Sequence, residues 1–499
     1  MRPEESSTGE RGWPGVSTQT TRVPRSAVGL RSDRGPVLLA VMLSVGLVAI
    51  DATILATAVP SVVKDLGGFT SFPWLFSIYL LAQAVSVPIY GKLADLFGRK
   101  PVMLLGIGLF LVGSLLCGVA WGMTSLILFR LVQGLGAGAI QPVSMTILGD
   151  LYSLEERATV QGYVASVWAI SSVVGPTLGG VFSDTIGWRW IFFVNLPLGL
   201  LAATVLWRRF SEDIERKRHR LDLTGAVLLA SGGTLLLLAL LEGGVEWAWD
   251  SPVSLLLFAG AAALLVLFVA VERRAAEPVL PLWVFRMRVL NVVNGASLVV
   301  GVLLMGLSSY VPLYAQQVLG HGALVAGLAL AGMTVGWPIA ASTAGRLYLS
   351  VGFRVTLLLG SVVAVAGSLL LLTISPDSSV WWLAFACFVM GLGFGYVASP
   401  AVVAAQTAVS WSTRGVATGS NMFARSIGSA LGVAAFGAVV NSRVASEVGG
   451  NPALENVSAG VLAPAVHTVF VLTVGIAVVL VVVASLMPTR VAAPEAQAE

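Results

Sequence analysis

Fourteen long apolar stretches run through this 499-residue chain, and they constrain its fold more than any other feature. Each stretch can cross the roughly 30 Å hydrocarbon core of a bilayer, which takes about 20 residues of helix. None shows the polar–apolar alternation of a membrane β-barrel, so helices are the only spanning structure available. We therefore predict an all-α membrane protein with 14 transmembrane helices. The stretches cover 36–63, 73–94, 101–120, 124–148, 159–182, 190–207, 223–241, 252–271, 289–314, 324–344, 355–374, 380–404, 417–440 and 465–487.

The composition agrees with a chain embedded in lipid. Hydrophobic residues make up 57% of the sequence, charged residues only 11%, and the mean hydropathy is +0.89. A soluble globular surface is not built from so few charges. The net charge of +4 is spread over many short loops rather than gathered in one patch, so no nucleic-acid partner is expected. Membrane lipids are the partners that this composition predicts.

Basic residues predict the orientation. With an even number of spans both termini lie on one side, and 24 of the 29 Lys and Arg residues then fall on that side. Because positively charged loops are retained in the cytoplasm, we predict that both termini are cytoplasmic. The first span lacks a small-residue cleavage site and is too long for a signal peptide, so it is expected to remain as an anchor.

The chain also repeats itself at an offset of 252 to 258 residues, as duplicated transporter halves do. Spans seven and eight have no counterpart, so the predicted plan is six spans, two inserted spans and six spans. Binding sites in such folds lie between the halves. The matches pair Pro60 with Pro312; Gly91, Leu93, Gly98 and Lys100 with Gly345, Leu347, Gly352 and Arg354; Gly134, Gly136, Gly138 and Pro142 with Gly391, Gly393, Gly395 and Pro400; and Arg157 and Gly162 with Arg414 and Gly419.

This repeat divides the chain into five parts. We predict a disordered cytoplasmic tail over 1–34, an N-terminal six-helix half over 35–208, cytoplasmic linkers with inserted helices seven and eight over 209–288, a C-terminal six-helix half over 289–488, and a cytoplasmic tail over 489–499.

Two charged residues inside spans are the strongest functional candidates. Asp51 stands fourteen residues past Val37, about 21 Å into the bilayer. A charge at that depth must face protein or water, and a carboxyl there can carry a proton. Arg130 in the fourth span keeps its charge and needs a partner. The alternatives are that Asp51 is a structural acceptor for Thr53 or Thr57, and that Arg130 reaches the interface.

Other polar and aromatic residues in the spans are candidates for lining a substrate cavity, although aromatic residues near span ends are more often interfacial anchors. Three acidic residues between spans seven and eight, Glu242, Glu246 and Asp250, are expected to form a solvated face. The cavity candidates are Thr53, Tyr79, Gln83, Gln133, Tyr310, Tyr314 and Gln316.

Several function classes find no support. No phosphate-binding Gly loop with a Lys-Ser/Thr end occurs in the sequence, so the energy source is expected to be a gradient rather than ATP. Cys117 and Cys387 lie in different spans and the three histidines are scattered, so neither a disulfide framework nor a metal site is indicated. We expect no cofactor. We also expect that the chain is not an enzyme, because no nucleophile or catalytic dyad is visible in the sequence.

The sequence resembles the major facilitator superfamily, specifically its fourteen-span drug:proton antiporters, from about 36 to 490. The loop Gly91-Lys-Leu-Ala-Asp95-Leu-Phe-Gly98-Arg99-Lys100 is similar to the superfamily's signature between helices 2 and 3. Arg130, Gln133, Gly134 and Gly136 resemble its helix 4 pattern. The helix 5 pattern associated with antiport is similar to Gly162, Gly175, Pro176, Gly179 and Gly180.

The resemblance implies roles for these residues. Asp95 with Arg99 and Lys100 would make charge contacts that close the cytoplasmic side, while Arg130 would take part in proton coupling with Asp51. The second copy of the loop has Leu349 in place of the acid. The glycines permit close helix packing, and Pro176 weakens its helix, so these residues are candidates for gating.

We therefore expect a proton-driven exporter of small amphipathic or toxic molecules that works by alternating access. It is expected as a monomer in the plasma membrane, and the 25 Arg against 4 Lys suggest a GC-rich bacterial genome. Three alternatives remain open: a proton-linked importer of a small metabolite, a dedicated exporter of the cell's own natural product, and a receptor that does not transport.

Overall fold

The computed structural model describes residues 28–67, 74–212, 222–243, 246–448 and 457–491. Helix makes up 85% of the structure, and no strand occurs in these ranges, which confirms the all-α prediction. Residues 1–27 and 492–499 lie outside the described part, so most of both predicted tails falls there.

Thirteen helices form the described bundle. They are α1 Gly35–Leu66, α2 Trp74–Phe97, α3 Arg99–Gly118, α4 Met123–Leu151, α5 Leu154–Thr185, α6 Trp190–Phe193 continuing as Asn195–Arg209, α7 Leu223–Glu242, α8 Pro252–Glu272, α9 Arg288–Gln317, α10 Ala323–Leu372, α11 Val380–Thr407, α12 Arg414–Val448 and α13 Ala459–Ser485.

Within the described ranges, twelve helices are long and apolar enough to cross a membrane. The exception is α5, whose 32 residues include Glu155, Glu156 and Arg157 in the first turns. At 50 residues, α10 is long enough for two crossings, since it would extend about 75 Å if straight. Its backbone leaves the helical conformation at Gly352, where φ is 84°.

The same backbone turns recur at the repeat offset. Gly98 precedes α3 with φ 97°, and Gly352 divides α10 with φ 84°. Gly67 follows α1 with φ 69°, and Gly320 follows α9 with φ 70°. Residues with a Cβ rarely adopt such positive φ angles. Glycine is therefore required at these four turns, in pairs 254 and 253 residues apart.

Glycine packing recurs in the same way. A Cβ on Gly136 of α4 would meet the carbonyl oxygen of Gly106 on α3, at 2.7 Å. A Cβ on Gly393 of α11 would meet the carbonyl oxygen of Gly360 on α10, at 2.8 Å. Both distances are far below van der Waals contact, so α4 approaches α3 as closely as α11 approaches the second part of α10. The absence of side chains makes both approaches possible.

The hairpin of α7 and α8 packs beside the two repeated halves. Leu237 and Leu240 of α7 are buried with Leu81 and Val85 of α2 and with Ala434 of α12. Since α2 and α12 belong to different halves of the predicted repeat, α7 covers the seam between them. The acidic segment after α7 corrects one expectation. Glu246 and Asp250 are exposed.

Glu242, by contrast, is not part of a solvated face, because only 5% of it is exposed. The packing of α7 on α2 places its carboxyl against the Ser77 hydroxyl, and burial raises the pKa of Glu242. The prediction of a solvated acidic loop is therefore wrong for this residue.

Candidate functional site

Asp51 and Arg130 form an ion pair in the interior of the bundle. The pair joins α1 to α4, and the Arg130 Nη1 to Asp51 Oδ2 distance is 2.6 Å. Each residue is only 1% exposed. Of the two alternatives drawn from the sequence, interfacial snorkelling does not describe Arg130, since its guanidinium is enclosed and paired.

Three neutral side chains complete what we call the Asp51 cluster: Gln133, Ser114 and Asn195. Gln133 Nε2 donates to Asp51 Oδ1 at 2.8 Å and to Ser114 Oγ at 2.8 Å. Asn195 Nδ2 donates to the same Asp51 oxygen at 3.4 Å and to Ser114 Oγ at 3.2 Å. The cluster therefore connects α1, α3, α4 and α6.

Further contacts fix the guanidinium of Arg130. It donates from Nη1 to Gln133 Oε1 at 2.7 Å and from Nε to the Leu75 carbonyl at 3.1 Å. Its carbon lies 4.1 Å from the centre of the Tyr79 ring, which is a cation–π distance. Since an ion pair in a low-dielectric interior is stable only when its remaining polar atoms are satisfied, these contacts allow both charges to persist there.

Glycines bring these helices close enough for the contacts to form. A Cβ on Gly113 of α3 would lie 2.5 Å from the backbone nitrogen of Gln133, and a Cβ on Gly134 would lie 2.5 Å from the Tyr79 carbonyl oxygen. Arg130 and Gln133 are three residues apart, so they lie on one face of α4. The predicted glycine stripe of α4 thus flanks the cluster.

Asp51 is the member whose charge can be removed. Arginine does not release its proton at accessible pH, and Gln, Ser and Asn are neutral. Protonation of Asp51 would cancel the ion pair and leave Arg130 with neutral partners only. Two hydrogen-bonding atoms near the cluster, Tyr79 Oη and Asn195 Oδ1, have no partner in the described structure and are available to such a rearrangement.

The structure distributes the cavity candidates over several environments. Tyr79 and Gln133 belong to the surroundings of Asp51, as described. Thr53 donates to the Ser171 carbonyl of α5 at 3.0 Å and therefore contributes to the α1–α5 contact. Tyr310 and Tyr314 of α9 are buried, Gln83 of α2 is partly exposed, and Gln316 at the end of α9 is exposed.

Sequence reasoning assigned no role in this site to Ser114, Asn195 or Cys117. Ser114 and Asn195 are bonded to the cluster, and Cys117 Sγ lies 3.9 Å from Gln133 Oε1. Asn195 interrupts an apolar span, and that is the one signal that could have identified it. Ser114 gives no comparable signal, because serine is common in membrane helices.

A second polar cluster lies at the end of the bundle where α2 meets α3 at Gly98, which we call the basic end. Asp95 accepts hydrogen bonds from the backbone N–H groups of Gly415 and Val416, at 2.9 and 2.8 Å. These groups open α12, so the carboxylate also faces the positive end of the helix dipole. Arg99 lies 3.3 Å from Asp95.

Asp150, the next acidic residue of this cluster, pairs with arginines of both halves. It lies 2.8 Å from Arg99 Nε and 2.9 Å from Arg414 Nη1. Arg99 also donates to the Trp411 carbonyl at 2.8 Å, and its guanidinium lies 3.9 Å from the centre of the Trp411 ring. Lys100 contributes through its backbone N–H, which donates to Glu212 at 2.7 Å. Sequence reasoning did not assign Asp150, Trp411 or Arg414 to the site.

Close backbone approaches accompany these charges. Gly91 of α2 and Gly415 of α12 face each other directly, and Gly162 of α5 lies against Ser342 of α10. Gly175 packs on Thr53 of α1. Gly179 and Gly180 lie in the same helix as Pro176, whose side chain is outside the described part of the structure. The second copy of the loop differs, because Leu349 packs among apolar residues.

Comparison with known proteins places the chain in a family. Residues 41–433 match the Major Facilitator Superfamily. Multidrug resistance protein 3 of Bacillus subtilis (strain 168) is 36% identical over 403 residues, which cover 81% of this chain and 79% of that protein. The multidrug transporter protein MdtP of the same organism is 36% identical over 418 residues, which cover 84% of this chain and 77% of that protein.

A solved structure shares the fold. The crystal structure of the human organic anion transporter MFSD10 superposes with a TM-score of 0.65, covering 91% of this chain and 99% of that chain. At 16% sequence identity this likeness shows the fold alone. The resemblance to the major facilitator superfamily is confirmed, and because the relatives are named as transporters, so is the prediction that the chain is not an enzyme. This chain belongs to the Major Facilitator Superfamily of membrane transporters.

Proposed function

We propose that this chain is a proton-coupled antiporter that exports small amphipathic or toxic molecules. The buried Asp51–Arg130 pair carries the proposal, since it places one protonatable carboxyl inside the bundle with a permanent positive charge beside it. The two bacterial relatives described above are named for multidrug resistance and multidrug transport, which supports drugs as substrates. The proton gradient is the energy source, without a cofactor.

The proposed topology has fourteen spans with both termini in the cytoplasm. Fourteen crossings result when α5 is added to the twelve apolar helices and α10 is counted as two, because its backbone divides at Gly352. The recurring glycine turns and glycine contacts support two six-helix halves, 35–208 and 289–488, with α7 and α8 inserted between them. The basic end is then the cytoplasmic end, in a plasma membrane that we take to be bacterial, and the protein acts as a monomer.

In the proposed cycle, Asp51 exchanges a proton for a substrate molecule. Deprotonated Asp51 holds Arg130, and the Asp95 and Asp150 contacts close the cytoplasmic end. Uptake of an external proton neutralises Asp51 and cancels the pair, so Arg130 no longer holds α4 to α1. Since α4 carries both Arg130 and Asp150, about 30 Å apart along the helix, a shift of α4 can reach the cytoplasmic contacts. The halves then open toward the cytoplasm.

The energy of one proton suffices for strong extrusion of a neutral substrate. Entry down a potential of about 100 mV releases roughly 2.3 kcal/mol, and one pH unit adds about 1.4 kcal/mol. Together these sustain a gradient of about 500-fold. A monovalent cation exchanged one for one cancels the electrical part and reaches only about tenfold.

The proposal predicts that Asp51→Asn abolishes proton-driven export. Inside-out vesicles from a pump-deficient bacterial host would be energised by respiration, and ethidium uptake and release of lumenal protons would be followed by fluorescence. Wild-type vesicles should accumulate ethidium and lose lumenal protons when it is added, whereas Asp51→Asn vesicles should do neither. Asp65→Asn is the matched control, because Asp65 also lies on α1 but is exposed and pairs with Arg189.

Stability must be separated from coupling in this experiment. Removing one partner of a buried ion pair costs about 3–5 kcal/mol, because the other charge is left uncompensated. The double variant Asp51→Asn/Arg130→Gln removes both charges and should recover folding without recovering transport. Undiminished transport by an equally abundant Asp51→Asn variant would refute the role of Asp51. Movement of substrate together with protons, rather than against them, would identify an importer.

A further inference from the structure

Arg425 of α12 is a second arginine within a predicted span, and it has no partner in the described part of the chain. It lies eleven residues into α12 from Arg414, about 16 Å along the helix. Among the described residues its side chain makes no ion pair or hydrogen bond, in contrast to Arg130, which makes several. Asp51, the carboxylate of the bundle interior, is already engaged by Arg130. The interior of the described bundle therefore carries one uncompensated positive charge.

The helix geometry shows which way Arg425 faces. At about 100° per residue, it lies about 20° from Thr418, two turns earlier on the same face. Thr418 is fully buried and accepts a hydrogen bond from Gln406 of α11, at 3.1 Å. Gln406 also donates to the Met145 carbonyl of α4, at 3.0 Å. This face of α12 therefore points to the centre of the bundle, where helices of both halves meet.

The helices around α12 limit where the side chain can go. Gly428 and Gly432, about 60° and 20° around the helix from Arg425, pack on the backbone of α9, so α9 borders the face that carries Arg425. Ala430 and Ala434 pack against α2 and α7 on the opposite side. Arg425 lies about 140° around the helix from Ala430, so its side chain does not face α7. Its own carbonyl packs against Gly301 of α9, which fixes the backbone. The side chain is nevertheless partly exposed, on the face of α12 that it shares with Thr418.

We infer that Arg425 is the binding site for an anionic group of the substrate, such as a carboxylate. A guanidinium in a water-poor space binds carboxylates with two parallel hydrogen bonds, and no side chain of the described interior supplies that partner. The preferred substrates are then amphipathic organic anions or zwitterions. This inference rests on the proposed transport function and names its substrate class. In this scheme Asp51 binds the proton and Arg425 binds the anionic group of the substrate.

The test compares an acid with its uncharged ester. Binding of nalidixate, nalidixic acid ethyl ester and ethidium to the purified chain in lipid nanodiscs would be measured by calorimetry. Wild type should prefer the anion over the ester by about tenfold or more, the scale of one charged hydrogen-bonded contact. Arg425→Gln should abolish that preference, whereas Arg425→Lys should keep part of it. Arg443→Gln, an exposed arginine on the same helix, is the matched control and should keep all of it.

Several outcomes would overturn the inference. Wild type that binds the ester and ethidium but not the anion is one such outcome, and it is observed without any variant. Retention of the anion preference by Arg425→Gln is another. Vesicle transport separates this failure from that of the proposed function. Gradient-driven ethidium transport without an Arg425-dependent anion preference removes only the anion site. An anion preference that Arg425→Gln abolishes, without gradient-driven transport of any probe, retains the site and removes the antiport mechanism.

Discussion

Arg130 and Arg425 show how differently two arginines in one membrane interior can be accommodated. Arg130 has a carboxylate, an amide oxygen, a backbone carbonyl and an aromatic ring around it. Among the described residues Arg425 has none of these, although it is partly exposed. Since charged side chains in a membrane interior are costly unless partnered, the difference separates a charge held by the protein from one available to a ligand.

Glu242 gives a testable prediction at the residue scale. Burial raises its pKa in the folded protein above the unfolded value, so the stability it contributes is present at low pH and is lost as pH rises through the folded pKa. Glu242→Gln mimics the neutral acid. The variant should therefore raise the melting temperature of the purified protein more at pH 8 than at pH 5. Exposed Glu246→Gln is the control, and an equal effect at both pH values would contradict the assignment.

At the scale of helices, the glycine stripes of α4 and α11 are the features that fix spacing. The stripe of α4 packs on α2 and α3, and the stripe of α11 packs on the first and second parts of α10, which are their counterparts in the repeat. Gly134 packs on Tyr79, whose ring contacts Arg130, so the spacing of α4 and α2 also sets the geometry of the Asp51 cluster. Gly391 packs in the same manner on Met333 of α10.

The stripes predict that Gly136→Ala and Gly393→Ala are both destabilising. Each new methyl group would contact backbone atoms of the neighbouring helix, and overpacking of this kind costs about 1–3 kcal/mol. Thermal unfolding of the purified variants would measure the effect. Gly108→Ala on α3 is the matched control, since a Cβ there meets nothing within 4 Å. A loss confined to one of the two stripes would argue against equivalent packing in the two halves.

For the whole molecule, the described contacts between helices of the two halves include a group of charges at the basic end. Asp95 binds the first backbone amides of α12, and Asp150 binds Arg99 and Arg414. These interactions hold α2, α4 and α12 together. They hold the two halves in contact at this end.

Asp150→Asn should therefore populate an arrangement that is open at the basic end. Spin labels at exposed Arg209 of α6 and Ser350 of α10 would report the distance across that end, since the native Cys117 and Cys387 are buried. The wild type should give mainly the shorter distance, and the variant should add a longer one because two ion pairs are lost. Asp377→Asn, in a loop at the other end, should resemble the wild type. An unchanged distribution in Asp150→Asn would show that these pairs do not control closure.

How much of the site could be predicted from the sequence depends on the kind of residue. Asp51 and Arg130 were identifiable because a charge in an apolar span is conspicuous at any register. Their pairing was not, since it depends on the rotation of α1 and α4. Ser114 and Asp150 escaped for related reasons: a serine in a membrane helix has no fixed meaning, and an acid at a helix end is ordinarily solvated. Glu242 was mistaken for a loop acid because nothing in its neighbourhood reveals that α7 packs on α2.

The position of the α7–α8 hairpin makes the two flanks of the molecule inequivalent. The contact of α2 with α12 lies behind α7, whereas the repeat-related contact is that of α5 with α10. A hydrophobic molecule that diffuses within the bilayer toward the α2 flank meets the hairpin before it meets the seam. The hairpin therefore shields the contact between the halves from lipid on the α2–α12 flank and does not cover it on the α5–α10 flank.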